Sequence, residues 1–360
     1  MSSTAATPGL YAALPQLYVD GKKQDALSQN LTELLVEETT EGMMRCEATM
    51  VNWGPVGGGV GFLYFDRKLL DFGKAFKVDA GAGGAAGTIF DGRVMSIEGR
   101  YGRERPPEIL TFAEDRLQDL RMTRRTRTFE NVTDSDLFQQ LASEHGMQSQ
   151  LVVTGPQYKV MAQVNQSDLA FLRERARAVD AELWIEGTTL HVQARSRRDV
   201  QDVSLSFGQK LYEFSVTADL AMQVSSLTVS GWDVSGKQAL SHQADDSTLG
   251  AELNGDLGGS KVLGQAIGTR DQQIVHRLPA NSDETQALAE AEYRRGARRF
   301  LTGTGVAEGN ANVRVGTKLT LSNLGTLFDG KYYVTHTRHT YDLINGYRTW
   351  FAVERPGLGQ

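Results

Sequence analysis

With 360 residues, 40% of them hydrophobic and 23% charged, the chain is long enough for two or three domains that each bury a core. A formal net charge of −6 argues against a nucleic-acid binder held by phosphate contacts. The lone Cys46 excludes an intrachain disulfide and a cysteine-built zinc site, which fits folding in a reducing cytoplasm.

The opening stretch, MSSTAATPGLYAALPQLYVDGKK, has no basic segment leading into an apolar core, so no Sec signal is expected. No run approaches the ~18 apolar residues of a spanning helix, so no membrane anchor is expected either. The first hundred residues read as strands. MMRCEATMV alternates, with Met44, Cys46, Ala48 and Met50 on one face and Arg45, Glu47 and Thr49 on the other. VGFLYF, KAFKVDA, TIFDGRVMSI and EILTFAED follow at short spacing with glycine-rich turns between them, the pattern of an antiparallel sandwich or barrel.

The middle changes character. In NVTDSDLFQQLASEHG, Thr133 is placed as an N-cap with Asp136 three residues on, Leu137, Phe138, Leu141 and Ala142 form one face, and Gly146 stops the helix. A second helix in NQSDLAFLRERARAVDA has Leu169, Leu172, Ala176 and Val179 as its stripe, and the strands ELWIE and TLHVQ come next. Residues 119–199 thus read as a small α/β module. Strands return in VSLSF, LYEFSV and QVSSLTVSGWD. A polar, glycine-rich excursion over 236–280, partly ordered at best, precedes a third helix over 283–299 with acidic residues first and arginines last, as the helix dipole favours. The chain closes on further strands, the last two joined by Asn345-Gly346, a hairpin signal.

One phrase recurs. Thr88 opens TIFDGRVMSIEGRYG and Thr326 opens TLFDGKYYVTHTRHTYD, each preceded by a glycine and alternating apolar residues (Phe76 and Val78; Leu319 and Leu321). The recurrence of Phe90-Asp91-Gly92 as Phe328-Asp329-Gly330 in a strand-turn-strand frame predicts an internal duplication of one β-domain, with the same bend in both copies. The first copy is expected over 1–118, completed by strands in 200–220, and the second over 221–360 with the excursion inside it.

Chemistry is harder to find. His336 and His339 alternate to opposite faces of a strand, which argues against a shared metal. GTGVAEG has a helix before it and a strand after it, the reverse of a dinucleotide loop. No nucleophile elbow, zincin motif or acid/base pair stands out, Cys46 falls on an apolar face, and no cofactor, metal or catalytic residue is assigned. The densest positive run, RMTRRTRTF, makes Arg121, Arg124, Arg125 and Arg127 a candidate partner-contact segment beside the plainer reading of a solvated edge, while RERAR reads as an exposed helix face.

Several segments together resemble the late control D family of phage tail proteins, related to the N-terminal hub region of VgrG spikes. They are AEDRLQDLRMTRRTRTFENVTDSDLFQQLASEHGM, NQSDLAFLRERARAVDAELWIEGTTLHV, LTVSGWDVSGK and RRFLTGTGVAEGNANVRVGTKLTLSNLGTLFDGKYYVTHTRHTYD, in that order. The resemblance covers about 85–235 and 285–357. It implies a mainly β fold with an α+β insertion: two tail-tube-like antiparallel β-barrels per chain plus the small α/β module. It also implies a non-enzymatic baseplate hub of a contractile tail or contractile injection system. A homotrimer would present a pseudo-six-fold ring, joining the six-fold tail tube to a three-fold spike and contacting other baseplate proteins. Such a symmetry adaptor needs two pseudo-equivalent units per chain, which is what the repeated phrase suggests. The chain ends too soon after the second barrel for a needle, so a separate spike protein is expected. Assembly in the bacterial cytoplasm, a place in a virion tail or extracellular particle, and a negative lumen through which DNA or cargo slides without specific binding also follow from the resemblance. The rival readings are a secreted or virion β-rich carbohydrate- or receptor-binding module, and a hydrolase with a non-obvious site.

Overall fold

A computed structural model of the chain describes residues 14–198, 201–277 and 279–359. Strands hold 49% of the chain and helices 20%, so the fold is mainly β. Residues 1–13, the start of the expected first domain, lie outside the described residues.

The first unit comprises β1 (Gln16–Val19), β2 (Leu31–Thr39), β3 (Arg45–Val51), β4 (Ala75–Ala80), β5 (Gly87–Arg100) and β6 (Glu108–Glu114). Its alternating side chains bury Leu17, Val36, Cys46, Met50, Phe76 and Phe90 in one core, each contributing about 1.5–3 kcal/mol when taken out of water. A module follows: β7 (Arg124–Thr133), α1 (Asp134–Glu144), β8 (Gln148–Val152), β9 (Gln157–Ser167), α2 (Asp168–Ala178), β10 (Ala181–Glu186) and β11 (Thr189–Ala194). Thr133 caps α1 in a reciprocal capping box with Asp136, and Gly146 ends it with φ at 64°. The predicted helix faces meet in the module's own core with Leu137, Phe138, Leu141, Leu169 and Leu172 buried.

The second unit begins with β12 (Asp202–Ser206) and β13 (Leu211–Ala218). A subdomain then intervenes: β14 (Ser226–Asp233), β15 (Gln238–Ala244), α3 (Gly259–Ala266), β16 (Asp271–Ile274) and α4 (Ser282–Ala297). After it come β17 (Leu301–Glu308), β18 (Lys318–Ser322), β19 (Gly330–Asp342) and β20 (Gly346–Arg355). Two expectations are corrected here. Strands in 200–220 do not complete the first unit, because β12 pairs with β18 and β13 with β17. The described residues of the excursion 236–280 are ordered, since Tyr293 on α4 donates to Asp246 (2.7 Å) and Arg298 holds Glu252 (2.7 Å), contacts too distant in sequence to read locally.

The same frame of five strands occurs in both units, in the same chain order and with the same registers. β2 stands to β3 as β13 stands to β17, with the pairing slipping once between Leu31 and Glu33 and again between Leu211 and Glu213. β5 pairs β6 as β19 pairs β20, with slips between Val94 and Ser96 and between Val334 and His336. β4 lies on β5 as β18 lies on β19. Gly73 (φ 76°) donates to the Val94 carbonyl at 2.8 Å, and Gly316 (φ 93°) donates to that of Val334 at 2.9 Å. The excursion occupies the β13–β17 connection, where the first unit has only the short turn from β2 to β3.

Both units lie in one 13-stranded sheet, ordered β13-β17-β20-β19-β2-β3-β6-β5-β4-β1, with β18 bridging β12 and β19 and a short Lys22–Lys23 strand beyond β1. The join is the antiparallel pairing of β2 with the outer half of β19. Among the described residues the hydrogen-bonded path closes into a barrel in neither unit.

Candidate functional site

The repeated phrase occupies different structure in its two copies. Phe90, Asp91 and Gly92 run straight through β5, where Phe90 is buried and Gly92 lies opposite Phe76. Phe328 and Asp329 form a turn, with both amides donating to the Gly325 carbonyl at 3.0 and 2.8 Å and the Asp329 carboxylate accepting from the Leu324 amide at 2.7 Å. Gly330 then starts β19 with φ at 147°. The expected shared bend is therefore corrected. By register, Phe90 opposite Val78 occupies the place of Gly330 opposite Leu321, and Gly92 that of Tyr332. The phrase is two positions out of phase with the frame it pointed to.

The basic segment is largely neutralised within the module. Arg127 donates to Gln163 (2.9 Å), Glu144 (2.8 Å) and Asp168 (3.0 Å), and Arg125 reaches Asp168 at 3.5 Å. Burial pushes the Asp168 carboxyl up, but Gln163, His145 and these arginines hold it below the usual carboxylate range. Arg121 pairs with Glu114 at 2.5 Å, and Arg124 extends into solvent with a long 3.4 Å contact to the Asn165 carbonyl.

His336 and His339 serve packing and the unit–unit seam. His336 Nε2 lies 2.8 Å from Glu37, which also accepts from Arg338 at 2.7 Å. His339 is buried with Nδ1 2.8 Å from the Tyr347 hydroxyl, and burial beside the Arg314 cation drives its pKa down to about 3, so the ring is neutral. Among the described residues no group of three or more His, Cys, Asp or Glu is placed to hold a metal ion.

The strongest electrostatic feature is the junction of the three parts. Glu38 on β2 is buried and accepts from Arg314 Nε (2.7 Å) and the Val315 amide (3.2 Å), with Arg198 at 3.8 Å. Arg198 also donates to Glu182 (2.8 Å) on β10 and lies over the Trp184 ring. Burial opposes the Glu38 charge, but the two guanidinium groups prevail and keep the carboxylate ionised. A second seam joins α4 to the module, where Arg298 binds both Asp180 and Glu252. The cleft beside it, about 660 Å³, is lined by salt-bridged arginines such as Arg173, Arg177 and Arg195, an arrangement that clamps elements together. Sequence reading missed Glu38 and Arg314 because the pair spans most of the chain and neither has a local signature.

What remains open is backbone. β13 ends the sheet, and the outer half of β5 extends beyond β4 with Ser96, Glu98, Gly99 and Arg100 exposed. Edge strands with unpaired backbone groups are templates for another strand. An aromatic cluster of Trp53, Phe62, Phe65 and Tyr101 flanks the β5 edge. The arrangement is one for assembly by strand addition.

Solved structures share this fold. The 43 kDa tail protein of prophage MuSo2 from Shewanella oneidensis is similar with a TM-score of 0.68, covering 95% of this chain and 98% of that one at 14% identity. A tail protein from Neisseria meningitidis MC58 gives 0.64, covering 96% and 97% at 13% identity. An E. coli component of the type VI secretion system gives 0.60, covering 94% and 76% at 10% identity. At these identities the likeness is one of fold. No curated protein matches the chain. The family model described as Alg8_N, Alg8 N-terminal domain, matches residues 21–342, well over half the chain, and the chain belongs to that family.

Proposed function

We propose that the chain is a non-enzymatic structural component of a contractile tail or contractile injection system, acting as its baseplate hub. The observation that carries this reading is the five-strand frame present twice in one chain with matching registers and slips. Three such chains present six similar units, as an adaptor between a six-fold tube ring and a three-fold spike requires. The fold shared with tail proteins supports the same reading, as does the late control D resemblance, whereas the description of the matching family names a domain and no activity. In this reading each unit is one tube-like β-domain whose barrel character develops in the assembled ring. The 119–199 module, with exposed Arg124, faces neighbouring baseplate proteins, and the acidic chain lines a lumen that cargo traverses without sticking. Light scattering on the chain alone, then mixed with the tube and spike proteins encoded beside it, tests the hub. A trimer that binds both is expected, and a strict monomer that ignores both overturns it.

The exposed ring of Trp53, 42% accessible, beside Phe62 and Tyr101 favours a second reading, a carbohydrate- or receptor-binding surface. Quenching of tryptophan fluorescence by surface glycans, abolished in Trp53→Ala, would support it over the hub.

A further inference from the structure

The pairing that joins the two units is made once, although the frame that makes it exists twice. β19 runs past its short partner β18 and uses the freed edge to bind β2, with Arg338 opposite Glu37 and His339 opposite Val36. β5 runs past β4 in the same way, their pairing ending at Ala75 opposite Arg93. Beyond that point no strand among the described residues lies on that side of β5. β13, which holds the place of β2 in the second unit, pairs with β17 and has no strand among the described residues on its other side. The chain therefore carries the two halves of a pairing it already makes internally, one at each unit.

Burial records the missing neighbour. On β19, Thr337 and His339 are buried under β2, whereas their counterparts on β5, Ile97 and Gly99, are half-buried and exposed. On β2, Leu34, Val36 and Glu38 are buried, whereas Phe214 and Val216 on β13 are half-buried and Ala218 is exposed. Glu98 and Arg100 on β5 and Glu213 on β13 put charge on these edges, but neither carries a proline or a covering strand among the described residues, the other devices that blunt an edge.

We propose that a second copy of this chain occupies these edges: β13 of one copy pairs antiparallel with the outer half of β5 in the next. The register follows from the internal seam. Ile97 faces Ala218, Glu98 faces Thr217, Gly99 faces Val216 and Arg100 faces Ser215. Arg100 then lies diagonal to Glu213, an opposite-charge pair within reach across adjacent strands. Tyr101, 68% exposed in the single chain, meets Phe214, and the flanking aromatic cluster is covered. The contact is heterologous, so repetition closes a ring or grows a filament. Only the number three rests on the hub reading; the edge pairing rests on the repeated registers.

Cysteine cross-linking of the full chain tests the register. Cys46 is buried and burial pushes its thiol up, so introduced surface cysteines are the reactive ones. The matched double variant Glu98→Cys/Thr217→Cys should give, on oxidation, covalent multimers on a non-reducing gel. Each single variant should remain monomeric there, because the two edges differ, and the displaced pair Glu98→Cys/Glu213→Cys should link far less. A cation opposite Arg100, Ser215→Arg, should abolish the multimer by mass measurement, and adding Arg100→Glu should restore it. Overturning results are an unlinked matched pair at every concentration, a single variant that links to itself, or a displaced pair that links as well as the matched one. Matched links that grow without limit would keep the edge pairing and overturn the hub. A trimer whose matched cysteines stay free would keep the hub and overturn the edge pairing.

Discussion

In the first unit β2 carries Leu34, Val36 and Glu38 at 3% exposure or less, while in the second β13 carries Phe214, Val216 and Ala218 in the same places with far more contact to solvent. The strands share their register, their slip and their inner neighbour. What differs is the outer neighbour: β19 lies against β2, and among the described residues no strand lies on the outer side of β13. Burial at these positions is thus a property of the seam and not of the frame. Chemistry follows burial, because a glutamate can sit at position 38 only where Arg314 arrives from the other unit to meet it.

The largest effect should come from that glutamate. Glu38→Ala leaves the buried Arg198 and the half-buried Arg314 without their shared carboxylate, a change that costs about 3–5 kcal/mol when a buried pair is broken from one side. Urea unfolding of the dilute chain should show the loss as a lower midpoint. At the equivalent exposed position, Ala218→Ser should move stability by no more than about 0.5 kcal/mol. Equal costs at the two positions would mean that the seam does not distinguish the units.

Gly92 sharpens the comparison from the side of the repeated phrase. Its place in the frame is held in the second unit by the buried Tyr332, so the frame itself does not call for glycine. Gly92 is small because an added Cβ would lie 2.2 Å from the Glu114 carbonyl oxygen on the paired strand β6. Backbone there cannot retreat without breaking the β5–β6 ladder, and Gly92→Ala should destabilise the chain by about 1–3 kcal/mol, as overpacking does. Thermal unfolding of this single variant checks it, and an unchanged midpoint would refute the packing explanation.

His339, buried at the seam, has the exposed Gly99 as its counterpart, so only the seam side should titrate. The folded pKa is down at about 3 against an ordinary value of 6.5. Above 6.5 the ring is neutral in both states and contributes nothing to the pH dependence. Below it the unfolded chain takes up a proton that the folded chain refuses, and stability falls by up to about 1.4 kcal/mol per pH unit until the folded pKa is reached. Asp115, which burial lifts to about 7, works in the opposite sense, since its contribution is fully present below 3.8 and is lost as pH rises toward 7. The His339 slope is therefore read as the difference between the wild-type chain and His339→Gln. That difference should widen steadily from pH 6.5 downward, and a flat one would show that the ring is protonated when folded.

Local features were legible in the sequence and long-range ones were not. The Thr133–Asp136 capping box, the stripes of both module helices and the stop at Gly146 follow from spacing alone, because a helix satisfies its ends and its face with near neighbours. The repeated phrase led to the right pair of hairpins with the wrong phase. A strand pair is held by backbone register, which leaves little trace in residue identity, and Phe90 and Gly330 hold one place with unlike side chains. The arginine run read as a candidate surface because its partners, Glu144, Gln163 and Asp168, belong to three other elements. For the same reason the polar excursion read as loose: Arg298 and Tyr293, which order it, lie on and just beyond a helix that follows it.

The smallest expected effect is at the rim of the seam. Arg338 on β19 reaches Glu37 on β2 at 2.7 Å while 45% exposed, and Glu37 also holds Arg45 and His336. An exposed cross-strand pair contributes roughly 0.2–1 kcal/mol, and Arg45 and His336 leave Glu37 partnered. Arg338→Ala should therefore lower stability by under about 1 kcal/mol, with the loss shrinking in high salt as screening weakens the pair. Glu98 holds the matching place on β5, faces no strand among the described residues and pairs with Arg100 of its own strand at 2.8 Å with both side chains well exposed, so Glu98→Ala should lower the stability of the dilute chain by no more than a few tenths of a kcal/mol. Paired denaturation curves at low and high salt separate the two cases. A salt-dependent loss in Glu98→Ala as large as that in Arg338→Ala would remove the asymmetry between the units.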